Sequence, residues 1–237
     1  KDIFLATKVG WDKGPFSNYY EPKHMVYNLE RSLKNLRTDC LDLVYLHHCN
    51  FGKNGEYFDE ALNVLTSFRN QGRLRFIGLS DWSNSRIMKY IKMCDPDVIQ
   101  PYRNVMDDGF IRSGLCSYVS KNNLGVCFFS PIKHGLLTGK YDKPTSFKIG
   151  DHRSRVKDFA DQKVIDKMKQ NKLLLEKRFA KHKYPVMRGL VDALFNDVKS
   201  GCVLLGQRNV DQVNVASTLG EPMDEGDSVW VKSLYQQ

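Results

Sequence analysis

Lys8 and His47 are the residues in this chain whose types and positions most directly suggest chemistry. Lys8 lies near the end of the apolar run "IFLATKV" (3–9), and His47 follows the apolar run "LDLVYL" (41–46). Alone, a lysine at a strand end is an ordinary surface cation. A lone histidine there is a core-edge ring satisfied by a backbone carbonyl. On adjacent strand ends the pair does more. The ammonium can hold a carboxylate or lower the pKa of a neighbouring acid, and the imidazole can orient a carbonyl or donate a proton. Side chains alternate along a strand, so His48 is expected to point the other way and serve structure.

Several elements must bring these residues together. Short apolar runs alternate with segments of helical period. "MVYNLERSLKNL" (25–36) places Val26, Leu29, Leu33 and Leu36 on one helical face. "DEALNVLTSFRNQG" (59–72) does the same with Ala61, Leu62, Leu65 and Phe68, with Gly72 as the stop. Strands are expected at 73–80, 97–100, 125–130 and 202–206, with helices at 84–94, 112–123 and in "NVDQVNVASTLG". The very basic segment from about 140 to 200 is expected to be mostly helical. Apolar strands separated by helices mean a parallel sheet covered on both faces. Neither GxGxxG nor GxxxxGK[ST] occurs, which argues against the common open nucleotide-binding sheets. In a barrel, functional residues gather at the C-terminal ends of the strands. Here those ends carry Lys8, His47, Ser80 with Asp81, Gln100, Ser130 and Gly206.

Composition narrows the classes. With 237 residues, 41% apolar and 27% charged, the chain is an ordinary globular one, and no apolar run approaches the ~18 residues of a membrane span. The first residues lack the apolar core of a signal peptide. Six cysteines without a CxxC pair suggest reduced thiols in a cytoplasmic protein, with neither a disulfide frame nor a metal site. A net charge of +9 favours anionic partners such as nucleic acid, acidic lipid or a phosphorylated cofactor. No basic run is interleaved with aromatics as in single-strand binders, so neither a specific nucleic acid nor a membrane is expected as a partner.

Five stretches, in order, resemble the aldo-keto reductases: "LERSLKNLRTDCLDLVYLHH", "GRLRFIGLSDWS", "VIQPYRNVMD", "GVCFFSPIKHGLLTGKY" and "LLGQRNVDQV". The similarity begins at "LATK" and covers essentially the whole chain. The fourth stretch is similar to the branch that includes potassium-channel β subunits and related bacterial reductases. The resemblance implies a (β/α)8 barrel forming one domain over 1–237, and NADPH-dependent reduction of an aldehyde or ketone. It implies Lys8 and His47 as catalytic residues. Ser80, Asp81 and Gln100 would hold the nicotinamide carboxamide, and Phe129 would stack on the ring. Ser130, Pro131, Ile132, Gly135 and Leu137 would line the pyrophosphate. Gly206, Arg208 and Gln212 would face the adenosine 2'-phosphate, with Trp11 and Trp82 toward a small carbonyl substrate. Homo-oligomers would be compatible with it.

The chain also departs from that pattern. The family places two βα units before its lysine, so at ~30 residues per unit ~60 residues have no counterpart here. Those units carry the family's catalytic tyrosine and its partner aspartate. If no other segment supplies that tyrosine and aspartate, slow turnover is expected, and a catalytically impaired NADP(H)-binding or regulatory subunit is the alternative. Tyr19 and Tyr20 are the residues that could replace the acid. Asp81 stands where the family has Asn, Arg103 where it has Tyr, and Val215 and Ala216 where the related branch has Glu and Asn.

Overall fold

The computed structural model describes residues 3–198 and 201–236, and the expected helical segment's last two residues, 199 and 200, lie outside it. Six strands lie in sheet order β1 to β6: β1 Ala6–Val9, β2 Leu41–Leu46, β3 Leu74–Asp81, β4 Val98–Pro101, β5 Gly125–Phe128 and β6 Gly201–Val203. Strands β1 to β5 pair in parallel. Nine α-helices are described: α1 Pro22–Leu36, α2 Phe58–Asn70, α3 Asn84–Cys94, α4 Gly109–Arg112, α5 Leu115–Asn122, α6 Gln162–Arg178, α7 Pro185–Asp192, α8 Val210–Ala216 and α9 Glu225–Tyr235. Among the described residues strand and helix alternate as in a (β/α)8 barrel, with six strands in the sheet. Packing resolves into two compact units, one of residues 1–101 and 111–127, the other of 102–110 and 128–237.

In the first unit, β2 is buried along its whole length because each of its faces is covered. Helix α1 begins with Pro22 in its first turn, where the missing N–H costs nothing, and ends on Arg37 in the left-handed region. Its buried stripe is His24, Met25, Leu29 and Leu33. Val26 and Leu36, expected inward, are exposed, because the stripe is centred one position toward Met25. Helix α2 buries Phe58, Ala61, Leu65 and Phe68, and Leu62 lies at the margin. Gly72 follows it with φ +73, the conformation that favours glycine. Ser83 caps α3 by accepting the Arg86 N–H.

In the second unit, residues 140–161 are not the expected helix. They are loop with two short 3-10 turns, His152–Arg155 and Lys157–Ala160, folded around the rings of Tyr141, Phe147 and Phe159. Helix α6 then starts on an Asp161 cap. The unit is centred on Arg103, which is 1% exposed. Its guanidinium lies between the rings of Phe110 and Phe128, 4.7 and 4.8 Å from their centroids. It donates to the Asp197 carboxylate, which also accepts from the Lys232 ammonium of α9 at 2.7 Å. Burial pushes Asp197 up, but Lys232 and Arg103 hold the carboxyl below its ordinary range. No helix among the described residues is long and apolar enough to cross a membrane.

Candidate active site

Register explains why the first-unit residues share a face. Lys8 pairs with Tyr45, Tyr45 with Gly78, Gly78 with Val98, and Val98 with Gly125. These five form one row across the sheet. Two residues further along each strand, toward the C-terminal ends, the next row on that face is His47, Ser80, Gln100 and Cys127. Ser80 and Gln100 are register partners. His47 and Cys127 follow by extending the pairs Leu46–Leu79 and Ile99–Val126 by one residue. The intervening residues Val9, Leu46, Leu79, Ile99 and Val126 are buried on the opposite side. Gly78 is required in the first row. A Cβ there would sit 2.3 Å from Cδ1 of Tyr45, whose ring lies against the glycine. The Lys8 ammonium is 5.7 Å from the centroid of that same ring.

The electrostatics fit a neutral imidazole beside an ammonium. Burial lowers the Lys8 pKa, partly opposed by Cys127. His47 is brought down to about 4 by burial, then by Lys8 and His48. At neutral pH His47 is thus an uncharged ring able to donate one N–H. Its backbone N–H donates to the Val9 carbonyl at 2.9 Å. The Trp11 indole stacks on its ring at 4.9 Å, and Trp11 is 57% exposed. The low value has a stability consequence. Between about pH 6.5 and 4 the unfolded chain binds a proton at His47 that the folded chain refuses. Stability is therefore expected to fall as pH drops through that window, with no contribution above it. His47→Gln should flatten this part of a denaturation-versus-pH curve. An unchanged slope would show that His47 titrates normally.

The carboxamide trio is only partly available. The Ser80 hydroxyl donates to the Gln100 carbonyl oxygen at 2.9 Å, and the Gln100 amide donates to the Cys127 sulfur at 3.6 Å. Ser80 and Gln100 are buried. Asp81, also buried, already has a partner on each oxygen: the Cys49 N–H at 2.7 Å and the Ser83 N–H at 2.6 Å. Trp82 is 46% exposed. Tyr20 is no substitute acid. Its hydroxyl donates to the His48 carbonyl and accepts the His48 N–H, and burial raises its pKa well above the ordinary value. Tyr19 meets the His48 ring edge-on at 4.8 Å. His48 itself accepts the Asn50 N–H on Nδ1, consistent with a structural role.

The second unit carries the residues expected to meet phosphates. Phe129 is half-buried, with the Tyr102 ring edge-on at 5.6 Å. After it, Ser130, Lys133, His134 and Gly135 all have positive φ. Ile132 (φ −113, ψ 14) is followed by Lys133 (φ 46), but the Lys133 N–H donates to the Ser130 carbonyl at 3.1 Å and the Gly135 N–H to the Ile132 carbonyl at 2.9 Å, so the turn uses these two donors itself. Pro131 is buried just before it. A Cβ at Gly135 would lie 3.2 Å from the Lys140 ammonium, so a cation packs over the loop. Leu137 is buried, and its carbonyl accepts the Tyr235 hydroxyl at 3.2 Å. It belongs to the wall of the loop. Gly206 and Arg208 are exposed, and the Gln212 side-chain oxygen accepts the Arg208 N–H at 2.6 Å. Asp151 is held down to about 2, first by the Arg153 guanidinium and with a smaller pull from Arg208. Lys140 adds a cation outside the residues expected from the sequence, whereas Arg153 is already paired with the Asp151 carboxylate. Lys140 over the loop and the exposed Arg208 are the cations of this unit suited to a diphosphate. The first unit fits a carboxamide through Ser80 and Gln100, without Asp81.

A sequence model described as the aldo/keto reductase family matches residues 1–218. The chain belongs to the aldo/keto reductase family. Among aldo/keto reductases of known sequence, yakc of Schizosaccharomyces pombe, whose name carries NADP(+), is 32% identical over 164 residues, covering 65% of this chain and 46% of the relative. A probable voltage-gated potassium channel subunit beta of Oryza sativa subsp. japonica is 31% identical over 149 residues, covering 60% and 44%. The chain thus spans less than half the length of either relative, and it is similar to the branch that contains channel β subunits. Among solved structures, the glycerol dehydrogenase of Gluconobacter oxydans aligns with a TM-score of 0.79 at 23% identity, over 98% of this chain and 71% of that one. At that identity the likeness concerns the aldo/keto reductase fold alone.

Proposed function

We propose that this aldo/keto reductase family chain works in NADPH-dependent reduction of an aldehyde or ketone. The observation that carries the reading is Lys8 and His47 on one face of adjacent strands, with His47 held neutral beside a cation. A neutral imidazole N–H can hydrogen-bond a carbonyl oxygen without itself becoming a competing acid. The nearby ammonium favours negative charge developing on that oxygen. Ser80 and Gln100 would orient a carboxamide. Phe129 would offer a ring face, and the Ser130–Gly135 loop with Lys140 and Arg208 would meet phosphates. The NADPH cofactor supplies the hydride when bound. Arg208 favours the 2'-phosphorylated form because its planar fork binds phosphate bidentately. Trp11, stacked on His47, and Trp82 would touch a small substrate in the cytoplasm.

A second reading rests on Tyr20, whose hydroxyl is held by the His48 backbone and cannot protonate a substrate. It makes the chain an NADP(H)-binding or regulatory subunit. One titration separates the two. NADPH fluorescence should saturate on adding protein, and Arg208→Ala should weaken binding about 10-fold or more, the scale of one charged contact. Binding with brisk oxidation of NADPH by small aldehydes supports the reductase. Binding without turnover supports the regulatory reading, and no binding sinks both.

A further inference from the structure

Two buried side chains grip the backbone on the far side of His47. Strand β2 ends at Leu46; His47 keeps one more bond to the sheet, its N–H to the Val9 carbonyl at 2.9 Å, and residues 48 and 49 leave it. Among the described residues the His47 ring nitrogens have no hydrogen-bond partner, and the ring contacts are Trp11 and His48. No hydrogen bond holds the imidazole itself, so beyond the Trp11 stack its direction depends on the backbone either side, Val9 at residue 47 and the groups that hold residues 48 and 49. At residue 48, Tyr20 takes both backbone groups through one hydroxyl. At residue 49, Asp81 Oδ2 accepts the N–H, while its Oδ1 accepts the Ser83 N–H and ties the clamp to the start of α3. Each clamp is rigid. Tyr20 is fully buried, with the Phe51 ring at 4.7 Å. Its ring fills the space where a Gly10 side chain would be, because a Cβ there would lie 2.4 Å from Cε1. Asp81 is buried too.

We propose that Tyr20 and Asp81 are positioning residues that fix His47 by clamping the backbone at His48 and Cys49, and that Asp81 serves here as a backbone anchor, with no contact to the cofactor carboxamide. The proposal rests on the reading of His47 as the group that meets the substrate carbonyl. The clamp has a physical reason. A carboxylate accepts two N–H groups at once, whereas an amide at this position offers only one acceptor oxygen. A displacement of about 1 Å at a reacting group can cost on the order of 100-fold in rate.

The test follows the His47 ring by NMR in histidine-labelled protein carrying Asp81→Asn or Tyr20→Phe. If the clamp positions His47, its titration midpoint moves by about one unit or more toward 6.5 in both variants. The His24 and His182 resonances stay where they were, and NADPH affinity of Asp81→Asn stays within about 2-fold of the parent. A His47 titration unchanged in a folded variant overturns the positioning role. Loss of NADPH affinity in Asp81→Asn restores Asp81 to the cofactor. If Tyr20→Phe does not fold, amide exchange in the unmodified protein decides. The His48 and Cys49 N–H groups should be among the slowest of any loop, and fast exchange overturns the clamp. Failure of the functional reading shows separately, as wild-type protein that binds no NADPH while the NMR shifts still appear.

Discussion

Arg103→Leu is expected to lower the melting temperature by about 6–12 °C. Removing one partner of a buried ion pair costs about 3–5 kcal/mol, and a domain of this size shifts by about 2–4 °C per kcal/mol. The low end applies, because Asp197 keeps the Lys232 ammonium. Leucine also loses the contacts of the guanidinium with Phe110 and Phe128. Arg103→Lys should fare little better. A lysine keeps the charge but has no planar fork to lie between two rings. Adding Asp197→Leu to Arg103→Leu should deepen the loss, since it strands the Lys232 ammonium that Asp197 still holds at 2.7 Å. Scanning calorimetry of the three proteins checks this. A single variant melting within about 1 °C of the parent would mean that Arg103 is not what centres the second unit.

The second large effect is expected at Gly78. Gly78→Ala puts a methyl into the Tyr45 ring, 2.3 Å from Cδ1, in a strand paired on both sides. Overpacking of this kind costs about 1–3 kcal/mol. Because Lys8 lies over the same ring, the displaced Tyr45 should also disturb the ammonium, weakening whatever Lys8 holds. Pairing Gly78→Ala with Tyr45→Leu should restore more than half of the stability lost by the alanine alone. Such coupling is expected only between residues in contact. Strictly additive losses would show that the ring moves aside freely.

The strand ends were legible because each is marked by an apolar run that stops at a polar residue. Lys8, His47, Ser80 and Gln100 do lie on one face, as the alternation of β-strand side chains requires. Other features were not legible. The segment 140–161 carries the breakers Pro144 and Gly150, which its basic charge obscured, and its three aromatic rings close a loop. Helix α9 was missed although Asp224 caps it and Ser228, Val231 and Tyr235 are spaced three and four apart. Its short acidic entry "DEGD" looks like a turn. The work of Asp81 and Arg103 depends on partners 32 and 94 residues away, and no local pattern shows such pairs. At position 81 the sequence shows only a departure from the family's Asn, with no donor when ionised. The structure shows that the extra acceptor of the carboxylate is what the local backbone uses.

The two-row face also sets which changes of length this chain can absorb. Every polar residue of the face sits at an even offset from its row neighbour, so a one-residue deletion inside β2 would send His47 outward and bring His48 in. No substitution elsewhere could repair that inversion. The same deletion within the 140–161 loop leaves the parity of every strand intact. Natural or designed variants of this protein should therefore differ in length between the strands and almost never within them, and a library of random single-residue deletions would map the reacting face without any assay for its chemistry.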